Sequence, residues 1–495
     1  MHYHSSRGKG PAVTAAESIV AGIAPDGGLF VPETIPPLKS DFTTTMGQMS
    51  YQQKAAAILK LYLTDFTAEE ISKLIDQAYN KEKFDHTAIA PLVRIGEGLH
   101  IQELWHGPTS AFKDMALQLL PHLMMASAAR TGEKREIVIL VATSGDTGKA
   151  ALEGFKDVAG TKIVVFYPRD GVSKVQQQQM ITQEGNNVYV AAVRGNFDDA
   201  QKGVKKIFTD QDFNKLLDER DIKLSSANSI NWGRLVPQIV YYVSAYLDLL
   251  KENQIKAGDK INFVVPTGNF GNILAAFYAG LMGVPINKLI CASNANNVLT
   301  DFIQTGVYDR NRQFEKTISP SMDILISSNL ERLLYEISDH DHQQICQWME
   351  SLQATGRYEV DELSRQKIQE KFWAGYCDDD ETRAAIKDFW EEKGYLLDPH
   401  TAVAVNVWEQ YRHETGDRTP VVIASTASPF KFGRSVAEAL FDPGNDDEFL
   451  LLQKLADFTG NKIPAAIEEL MTREIRHKTE CSSEEMAAAL LAMLA

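Results

Sequence analysis

The chain has 495 residues, more than one hydrophobic core normally serves, so we expect two main domains. Its net charge of −16 at pH 7 excludes a broad nucleic-acid-binding surface, because such surfaces need clustered Lys and Arg. No stretch approaches the ~20 uninterrupted apolar residues that a membrane-spanning helix requires. Nucleic acids and membranes are therefore not expected as partners.

Four cysteines occur, and none forms a C-x-x-C pair, so the sequence predicts neither a disulfide framework nor a metal site. The opening segment "MHYHSSRGKGPAV" lacks the apolar core of a secretory signal. A reducing environment is the simplest interpretation, and we expect a cytoplasmic protein.

Residues 1–90 predict an N-terminal extension of mixed and helical structure. The stretch "APDGGLFVPETIPP" is rich in turn residues, whereas 51–79 has a helical apolar pattern. Thr67 and Glu70 have the spacing of a capping box just before an apolar run. A helix is therefore expected to begin next to Thr67.

From residue 137 onward, short apolar runs alternate with helical patterns. Unbroken apolar character is typical of strands buried on both faces, and the spacing is typical of βαβ units. The sequence therefore predicts an α/β fold with open, mainly parallel sheets. The predicted strands are Ile137–Ala142, Lys162–Tyr167, Asn187–Val193, Ile261–Val265, Leu289–Ser293 and Val421–Ser425.

Two α/β domains are predicted, one over 91–255 and one over 256–440. The polar stretch "LKENQIKAGDK" (250–260) is interpreted as the hinge between them. Residues 441–495 have a helical pattern and are predicted to form a helical C-terminal region.

In open α/β sheets, ligands bind beyond the carboxyl ends of strands, so loops that follow predicted strands are the first candidates for a site. The first such loop, "VATSGDTGKAA", contains Ser144, Asp146 and Thr147. Amide groups at the following helix start, together with the hydroxyls, would hold a carboxylate or phosphate. A capped turn with Asp146 or Thr147 as N-cap explains the pattern equally well.

The second loop is "VVPTGNFGNILAA". Gly268 and Gly271 allow the backbone to approach an anion closely, and a helix from Asn272 onward would add its dipole. The pattern favours a phosphate cradle, although it matches neither the Walker loop nor G-x-G-x-x-G. A plain turn remains the alternative.

Two further segments carry polar groups. "VVIASTASPFKFG" places Thr426 and other hydroxyl residues after a strand, with Lys431 nearby. "SSANSINWGRL" contains Asn228, Ser229 and Arg234, and an arginine can grip a phosphate with two parallel hydrogen bonds. Taken alone, each segment is better explained as a polar loop.

Lys113 stands between Phe112 and Asp114 at the head of an apolar helical run, "HGPTSAFKDMALQLLP". An amine becomes nucleophilic when burial lowers its pKa, and it can then form a Schiff base with an aldehyde cofactor. Pyridoxal 5′-phosphate (PLP) would explain both the lysine and a separate phosphate cradle. A lysine whose amine reaches solvent from an amphipathic helix is the alternative.

These motifs together resemble the threonine synthase family. "HGPTSAFKDMALQLLP", "ATSGDTGKAA", "PTGNFGNILAA" and "STASPFKF" occur in the order and spacing of that family, and "YHSSRG", "GIAPDGGLFVPETIPP" and "YLLDPHTAVA" also resemble it. The length is similar to the bacterial and fungal branch. The resemblance implies PLP fold type II, which is tryptophan synthase β-like, and a carbon–oxygen lyase of threonine biosynthesis. That lyase converts O-phospho-L-homoserine and water to L-threonine and phosphate.

The resemblance also implies roles for individual residues. It implies that Lys113 is the Schiff-base lysine, that Thr426 lies at the pyridine nitrogen, and that the 144–147 loop holds the substrate amino acid. Asn228, Ser229 and Arg234 are additional candidates for the substrate phosphate. The implied cofactor-phosphate loop consists of Gly268, Asn269, Phe270, Gly271 and Asn272.

This chain departs from the family pattern at two positions. Related sequences often have Asp where Asn272 stands and His-Pro where this chain has Ser428-Pro429. Backbone amides do most of the phosphate binding, so the second departure matters more, because it lies near the expected ring nitrogen. His400 is expected to act as a structural hydrogen-bonding residue rather than as a base.

Three alternatives stay open. A related phospholyase would release 2-oxobutyrate, ammonia and phosphate from the same substrate. A non-catalytic ligand-binding protein on the same scaffold is disfavoured because Lys113 is present, and a nicotinamide dehydrogenase is disfavoured because G-x-G-x-x-G is missing. A monomer or small homo-oligomer is expected.

Overall fold

The computed structural model describes residues 1–143 and 145–494. Its strands begin and end as follows: β1 Tyr3–Ser5, β2 Phe30–Pro32, β3 Leu92–Gly96, β4 Leu99–Glu103, β5 Glu136–Ala142, β6 Thr161–Pro168, β7 Val188–Val193, β8 Ile222–Ser225, β9 Ile261–Pro266, β10 Ile286–Ser293, β11 Val307–Asp309, β12 Arg357–Glu359, β13 Phe372–Tyr376, β14 Val421–Ser425 and β15 Thr479–Cys481.

The helices of the described residues are α1 Ala15–Ala21, α2 Phe42–Thr45, α3 Tyr51–Tyr62, α4 Ala68–Ala78, α5 Asp114–Leu117, α6 Leu120–Thr131, α7 Asp146–Phe155, α8 Lys174–Ile181, α9 Phe197–Thr209, α10 Gln211–Asp218, α11 Trp232–Lys251, α12 Gly271–Leu281, α13 Val298–Thr305, α14 Leu330–Ile337, α15 His342–Thr355, α16 Glu362–Lys371, α17 Asp379–Lys393, α18 Pro399–Thr415, α19 Gly433–Leu440, α20 Glu448–Thr459, α21 Ala465–Glu468 and α22 Met486–Leu494. Short 3₁₀ turns lie at Pro320–Met322, Pro429–Phe432 and Glu469–Met471. None of the helices in this part of the chain has both the length and the apolar content to cross a bilayer.

The first sheet has the strand order β15-β7-β6-β5-β8, and all of its pairings are parallel. Side chains of β5 alternate between two apolar clusters: Ile137, Ile139 and Val141 pack on one face, Val138 and Leu140 on the other. Burial on both faces explains why this strand reads as an unbroken apolar run. The three strands predicted here, β5, β6 and β7, are confirmed.

The second sheet has the order β13-β10-β9-β14-β4-β3, and its pairings are parallel except for the antiparallel β3–β4 pair at one edge. The other three predicted strands, β9, β10 and β14, lie side by side at its centre. The chain therefore has the predicted α/β class with mainly parallel sheets.

The predicted domain boundaries do not coincide with these two sheets. β3 and β4 fall inside the range 91–255 assigned to the first domain, yet β4 pairs with β14 of the second sheet. Conversely, β15 lies in the predicted helical region 441–495 and extends the first sheet through β7. A sequence pattern indicates a strand but not its partner, and both strands pair with segments far away along the chain.

The N-terminal extension packs against α11, a helix whose side chains are almost all buried. Trp232, the first residue of α11, lies between Tyr3 and Tyr62, with ring centroids 5.3 and 5.5 Å away. The predicted capping box is confirmed. The Thr67 hydroxyl accepts from the Glu70 amide, and the Thr67 amide donates to the Glu70 carboxylate. The polar stretch 250–260 leads from the end of α11 into β9.

Two backbone contacts join the loop that carries Lys113 to the loop that follows β14. The Phe112 amide donates to the Thr426 carbonyl at 2.8 Å, and the Ser428 amide donates to the Ser110 carbonyl at 3.1 Å. The carboxyl ends of β5, β9 and β14 lead into α7, α12 and the Pro429–Phe432 turn. These contacts bring the Lys113 loop and the loop after β14 together.

Candidate active site

Lys113 lies just before α5 and is 9% exposed. Its Nζ donates to Ser321 Oγ at 3.0 Å and lies 3.4 Å from Asp146 Oδ2. Burial lowers the pKa of Lys113; Asp146 opposes this change, while the charges of Lys431 and Arg234 add to it. A buried amine with a lowered pKa suits a nucleophile or a base.

Asp146 begins α7, and its carboxylate is fully engaged inside the protein. Oδ1 accepts from Gln176 Nε2 at 2.8 Å and lies 3.1 Å from Lys431 Nζ, while Oδ2 accepts from Ser321 Oγ at 2.8 Å. Burial alone would raise the pKa of Asp146, but the nearby lysines hold it well below its usual range. The side chain therefore acts as an internal counter-ion.

The loop before α7 differs from the alternative interpretation of the sequence. Gly145, not Asp146 or Thr147, is the N-cap, with a φ of 136° that disfavours any residue with a side chain. Thr143 Oγ1 accepts from the Gly145 and Gly148 amides and braces the turn. Thr147 is half-buried in the first helical turn. Ser144, a predicted substrate-binding residue, lies outside the described residues.

The loop between β9 and α12 turns at Phe270, whose φ of 63° is left-handed. A Cβ at Gly268 would lie 2.6 Å from the Ser321 carbonyl oxygen, so this position requires glycine. The Asn269 carbonyl accepts from the backbone amide and side chain of Asn329. The first amides of α12, from Gly271 onward, have no partner within the helix because they begin it. They are therefore able to bind an anion.

Asn272, at the start of α12, has a side-chain donor that an anion could satisfy. Its Oδ1 accepts from the hydroxyls of Tyr241 and Tyr242. Its Nδ2 is buried and has no hydrogen-bond partner among the described residues. A buried donor without a partner costs about 1–3 kcal/mol, and a phosphate oxygen at the helix start would satisfy it.

The loop after β14 provides hydroxyl groups in a buried setting. Thr426 is buried, and Ser428 Oγ is buried without a partner in the part of the chain that the structure describes. Ser425 Oγ, by contrast, accepts from Trp105 Nε1 and from Thr401 Oγ1, each at 3.1 Å. Thr426 and Ser428 are therefore the hydroxyls that remain for a ring nitrogen or another ligand atom.

Arg234 lies in the first turn of α11 and is 4% exposed. It donates from Nη1 to the Ala227 carbonyl at 2.7 Å, whereas its Nε has no partner among the described residues. Burial lowers the pKa of Arg234 to about 10. Within the described chain no carboxylate lies within 4.0 Å of it, so its charge is uncompensated.

Asn228 and Ser229, the other two candidates of that segment, make no side-chain contact that links them to the site in the described residues. Asn228 is exposed, and its carbonyl accepts from the Asn231 amide that begins α11. Ser229 is half-buried, and its carbonyl accepts from Asn329 Nδ2 at 3.2 Å. Both precede Arg234 by one to two helical turns of chain, and these contacts are made through their backbone carbonyls.

Ser321 is a site residue that the sequence interpretation missed. Its hydroxyl bridges Lys113 and Asp146, and its amide donates to His400 Nε2 at 3.1 Å. Because Nε2 accepts, His400 carries its proton on Nδ1 and donates to Asp398 Oδ1 at 2.8 Å. The predicted hydrogen-bonding role of His400 is confirmed. Ser321 follows no predicted strand, so no signal in the sequence pointed to it.

Family models match almost the whole chain. "Threonine synthase N terminus" matches residues 2–79, "Pyridoxal-phosphate dependent enzyme" matches 85–427, and "Threonine synthase, C-terminal" matches 401–489. The human protein named Threonine synthase-like 1 is 43% identical over 86% of this chain, but the chain spans only 58% of its length.

Shorter relatives match over nearly their full length. The threonine synthase of Pseudomonas aeruginosa is 37% identical, covering 89% of this chain and 90% of that protein. The crystal structure of a PLP-bound threonine synthase from Brucella melitensis is 36% identical, with a TM-score of 0.89 over 100% of this chain and 99% of that chain. The yeast enzyme structure also gives a TM-score of 0.89, at 34% identity, over 100% and 98% of the two chains.

These matches confirm the predicted fold type, and the geometry of Lys113 and of the α12 anion site agrees with the cofactor that the matched family uses. The chain belongs to the threonine synthase family of pyridoxal-phosphate-dependent enzymes.

Proposed function

We propose that this chain is a PLP-dependent carbon–oxygen lyase that converts O-phospho-L-homoserine and water to L-threonine and phosphate. One observation carries the proposal more than any other. A buried lysine amine with a lowered pKa lies in the same site as a helix start whose buried Asn272 donor has no partner among the described residues. An aldehyde cofactor with a phosphate group requires both features: an amine to bind the aldehyde and a helix start to bind the phosphate.

The residues present fit PLP at three points. Lys113 would bind the aldehyde carbon, the amides from Gly271 onward and Asn272 Nδ2 would bind the phosphate, and Thr426 would approach the ring nitrogen. The bound cofactor supplies an electron sink for the negative charge that develops when the substrate Cα loses its proton. A neutral hydroxyl at the ring nitrogen does not force a proton onto it, which limits side reactions such as transamination.

Lys113 is assigned the proton transfers at the substrate carbon atoms. A base must be uncharged before it can accept a proton, and burial keeps the pKa of this amine low. The Ser321 hydroxyl, 3.0 Å from Nζ, fixes the direction of the amine and gives it a hydrogen-bond partner between transfers. The low solvent exposure of the amine also excludes water that would compete for the proton.

The substrate carries two anions, and the site offers a separate location for each. For the α-carboxylate we assign the start of α7, with Ser144, the Thr147 hydroxyl and the first helix amides as donors. The Asp146 carboxylate would repel that group, so its role at this loop is internal. For the phosphate we assign Arg234, because in the described part of the chain its charge has no carboxylate partner and its Nε has no acceptor.

Asn228 and Ser229 are retained as minor phosphate ligands. Their loop is fixed to Asn329, which also holds the Asn269 carbonyl of the cofactor loop. A substrate phosphate that contacts this segment would therefore lie close to the cofactor site.

Spectroscopy and mass spectrometry test the cofactor assignment. The purified protein should absorb at about 410–420 nm, as PLP bound to a lysine does. Borohydride should bleach this band and leave the added mass on Lys113. Lys113→Ala should lose both the adduct and turnover. An adduct on another lysine would contradict the proposal.

Product analysis tests the reaction. Threonine and phosphate should form in equal amounts from O-phospho-L-homoserine. Release of 2-oxobutyrate and ammonia in place of threonine would identify the phospholyase alternative, which differs only in whether water adds at Cβ.

We further propose a cytoplasmic monomer or small homo-oligomer. All four cysteines are unpaired in the described chain, which supports a reducing compartment. Light scattering of the purified protein and fractionation of cells test the two parts of this proposal separately.

A further inference from the structure

A second lysine, Lys431, lies fully buried beside the site. It belongs to the 3₁₀ turn Pro429–Phe432 after β14, and its exposure is 0%. Its Nζ donates to the Thr109 carbonyl at 2.8 Å and lies 3.1 Å from Asp146 Oδ1. Charged lysines are almost never fully buried without a partner, so the pairing with Asp146 accounts for its presence.

Asp146 therefore stands between two lysines, and it is closer to one of them. Lys431 lies at 3.1 Å, which is near the distance of a charge-assisted hydrogen bond, whereas Lys113 lies at 3.4 Å. The second carboxylate oxygen is also occupied by the Ser321 hydroxyl at 2.8 Å. Lys431 is thus the principal counter-ion of this carboxylate.

The charge balance of the cluster depends on this arrangement. If both lysines were protonated, the buried group would carry a net positive charge, and burying unbalanced charge is costly. If Lys113 is neutral, the remaining Lys431–Asp146 pair is balanced. The same burial would favour a charged Lys113 if Lys431 were not there, because Asp146 would then need it as its partner.

We propose that Lys431 is a positioning residue that neutralises Asp146 and thereby leaves the free Lys113 amine uncharged and able to accept a proton. This inference rests on the proposed function, because it assigns Lys431 a part in preparing the base of that reaction. Lys431 also ties the Thr109 carbonyl, four residues before Lys113, to the β14 loop.

Arg234, His400 and Asp114 are the other titratable groups near the two lysines, and Asp114 is a second carboxylate that Lys431 stabilises. Arg234 of α11 adds a second positive charge near Lys113 and disfavours its protonation. His400 of α18 accepts from the Ser321 amide on Nε2 at 3.1 Å. Asp114 of α5 is buried and turned toward the Thr109 amide and hydroxyl, both at 2.8 Å. Asp146 is thus the carboxylate within 4.0 Å of Lys113 in the described residues.

The test measures Lys113 in the protein freed of cofactor. Competitive acetylation with acetic anhydride over a range of pH, read on the Lys113 peptide by mass spectrometry, reports the pKa of that amine without any turnover. Lys431→Met keeps the side-chain volume and removes the charge. It should raise the Lys113 pKa by about one unit, a tenfold loss of the neutral amine near neutral pH.

Asp146→Asn should shift the Lys113 pKa in the opposite direction, because two cations then face each other without an anion. A residue that merely maintains packing would not give opposite shifts for the two variants. In the holoenzyme, the acid limb of the kcat profile should move to higher pH in Lys431→Met.

Lys54→Met is the matched control. Lys54 is also buried, at 3% exposure, and pairs with Asp248 at 2.8 Å, but it belongs to α3 and lies against the other end of α11 from Arg234. This variant should leave the Lys113 pKa unchanged.

An unchanged Lys113 pKa in Lys431→Met, or shifts of the same sign in Lys431→Met and Asp146→Asn, would overturn the inference. If Lys431→Met does not fold, the Asp146→Asn measurement decides alone, since a raised or unchanged Lys113 pKa there contradicts it. Acetylation needs neither cofactor nor substrate, so a failure of the proposed reaction would not be mistaken for a failure of this inference.

Discussion

Arg234 and Arg332 are both buried arginines with a pKa lowered to about 10 by desolvation, yet they differ in their hydrogen bonds. Each nitrogen of Arg332 donates: Nε to the Phe30 carbonyl, Nη1 to Asn329 Oδ1 and Nη2 to the Ile230 carbonyl. Within residues 1–143 and 145–494, Arg234 makes one such bond, to the Ala227 carbonyl, and its Nε has no partner.

The comparison separates a structural role from a ligand-binding role without reference to relatives. Arg332 joins the N-terminal extension, the segment before α11 and the loop at Asn329, so its donors are consumed by the fold. Arg234 lies in the same kind of environment but retains donors for something that the folded chain does not provide. A buried polar group that the fold satisfies maintains structure, whereas an unsatisfied one beside the site has donors left for a ligand.

The largest effect should come from Arg332→Met. Three acceptors would lose their donor, at about 1–3 kcal/mol for each group left unpaired, so the free energy of unfolding should fall by at least about 3 kcal/mol. Urea unfolding measures it. Arg135→Met is the control, since Arg135 is about a third exposed and its pairs should contribute less than about 1 kcal/mol. Equal losses in the two variants would contradict the structural role.

Arg234→Gln should affect substrate rather than stability. Loss of a hydrogen bond to a charged phosphate costs about 1.5–3 kcal/mol, so KM should rise about tenfold to a hundredfold. The free energy of unfolding should change little, because a buried charge that lacks a carboxylate partner is removed. Steady-state kinetics and urea unfolding measure the two quantities. A stability loss as large as that of Arg332→Met would remove the distinction between the two arginines.

Asp114 and Asp146 extend the comparison to carboxylates. Burial raises the pKa of Asp114 to about 6, while lysines hold that of Asp146 below its usual range. The folded state therefore binds the Asp114 proton more tightly than the unfolded state, so this group lowers stability as pH rises from about 4 to about 6. At about 1.36 kcal/mol per pKa unit, this shift corresponds to about 3 kcal/mol. Unfolding free energies measured between about pH 4 and about pH 6 should therefore depend less on pH in Asp114→Asn than in the natural chain. The same pH dependence in both proteins would contradict the raised pKa of Asp114.

The smallest effects are expected at two neighbouring serines. Ser425 Oγ has two partners, so Ser425→Ala should lower the free energy of unfolding by about 1 kcal/mol. Ser428 Oγ has none among the described residues, so Ser428→Ala should change it by less than about 0.5 kcal/mol in the cofactor-free protein. Thermal unfolding of both variants measures this difference. A larger stability loss in Ser428→Ala than in Ser425→Ala would show that the hydrogen bonds of these hydroxyls do not determine their contribution to stability.

Much of the sheet structure could be predicted because central strands carry a simple signal. β5, β9 and β14 are apolar on both faces, and unbroken apolar runs appear wherever that is so. β4 has no such run because His100 and Gln102 are polar and yet fully buried, and β15 is only three residues long. Burial of polar residues depends on the tertiary structure and is not visible in a local pattern.

The site could be predicted in part for a related reason. The three glycine- and hydroxyl-rich loops follow strands, so strand prediction located them. The contacts of Ser321 with Asp146, 175 residues away, and of Lys431 with Thr109, 322 residues away, depend on how the two sheets pack together. The alternative in which Asp146 or Thr147 caps α7 is not what the structure shows, because the positive φ of Gly145 determines where that helix begins.

The contacts of Arg332 and Glu331 have a consequence for synthesis of the chain. Arg7 pairs with Glu331, which lies 324 residues later in the chain. The Phe30 carbonyl accepts from Arg332, which lies 302 residues later. At about 5–20 residues per second, a ribosome needs roughly 15–60 s to supply these partners. During that interval the extension can already pack against α6 and α11, but Arg7 and the Phe30 carbonyl lack their partners until α14 has emerged.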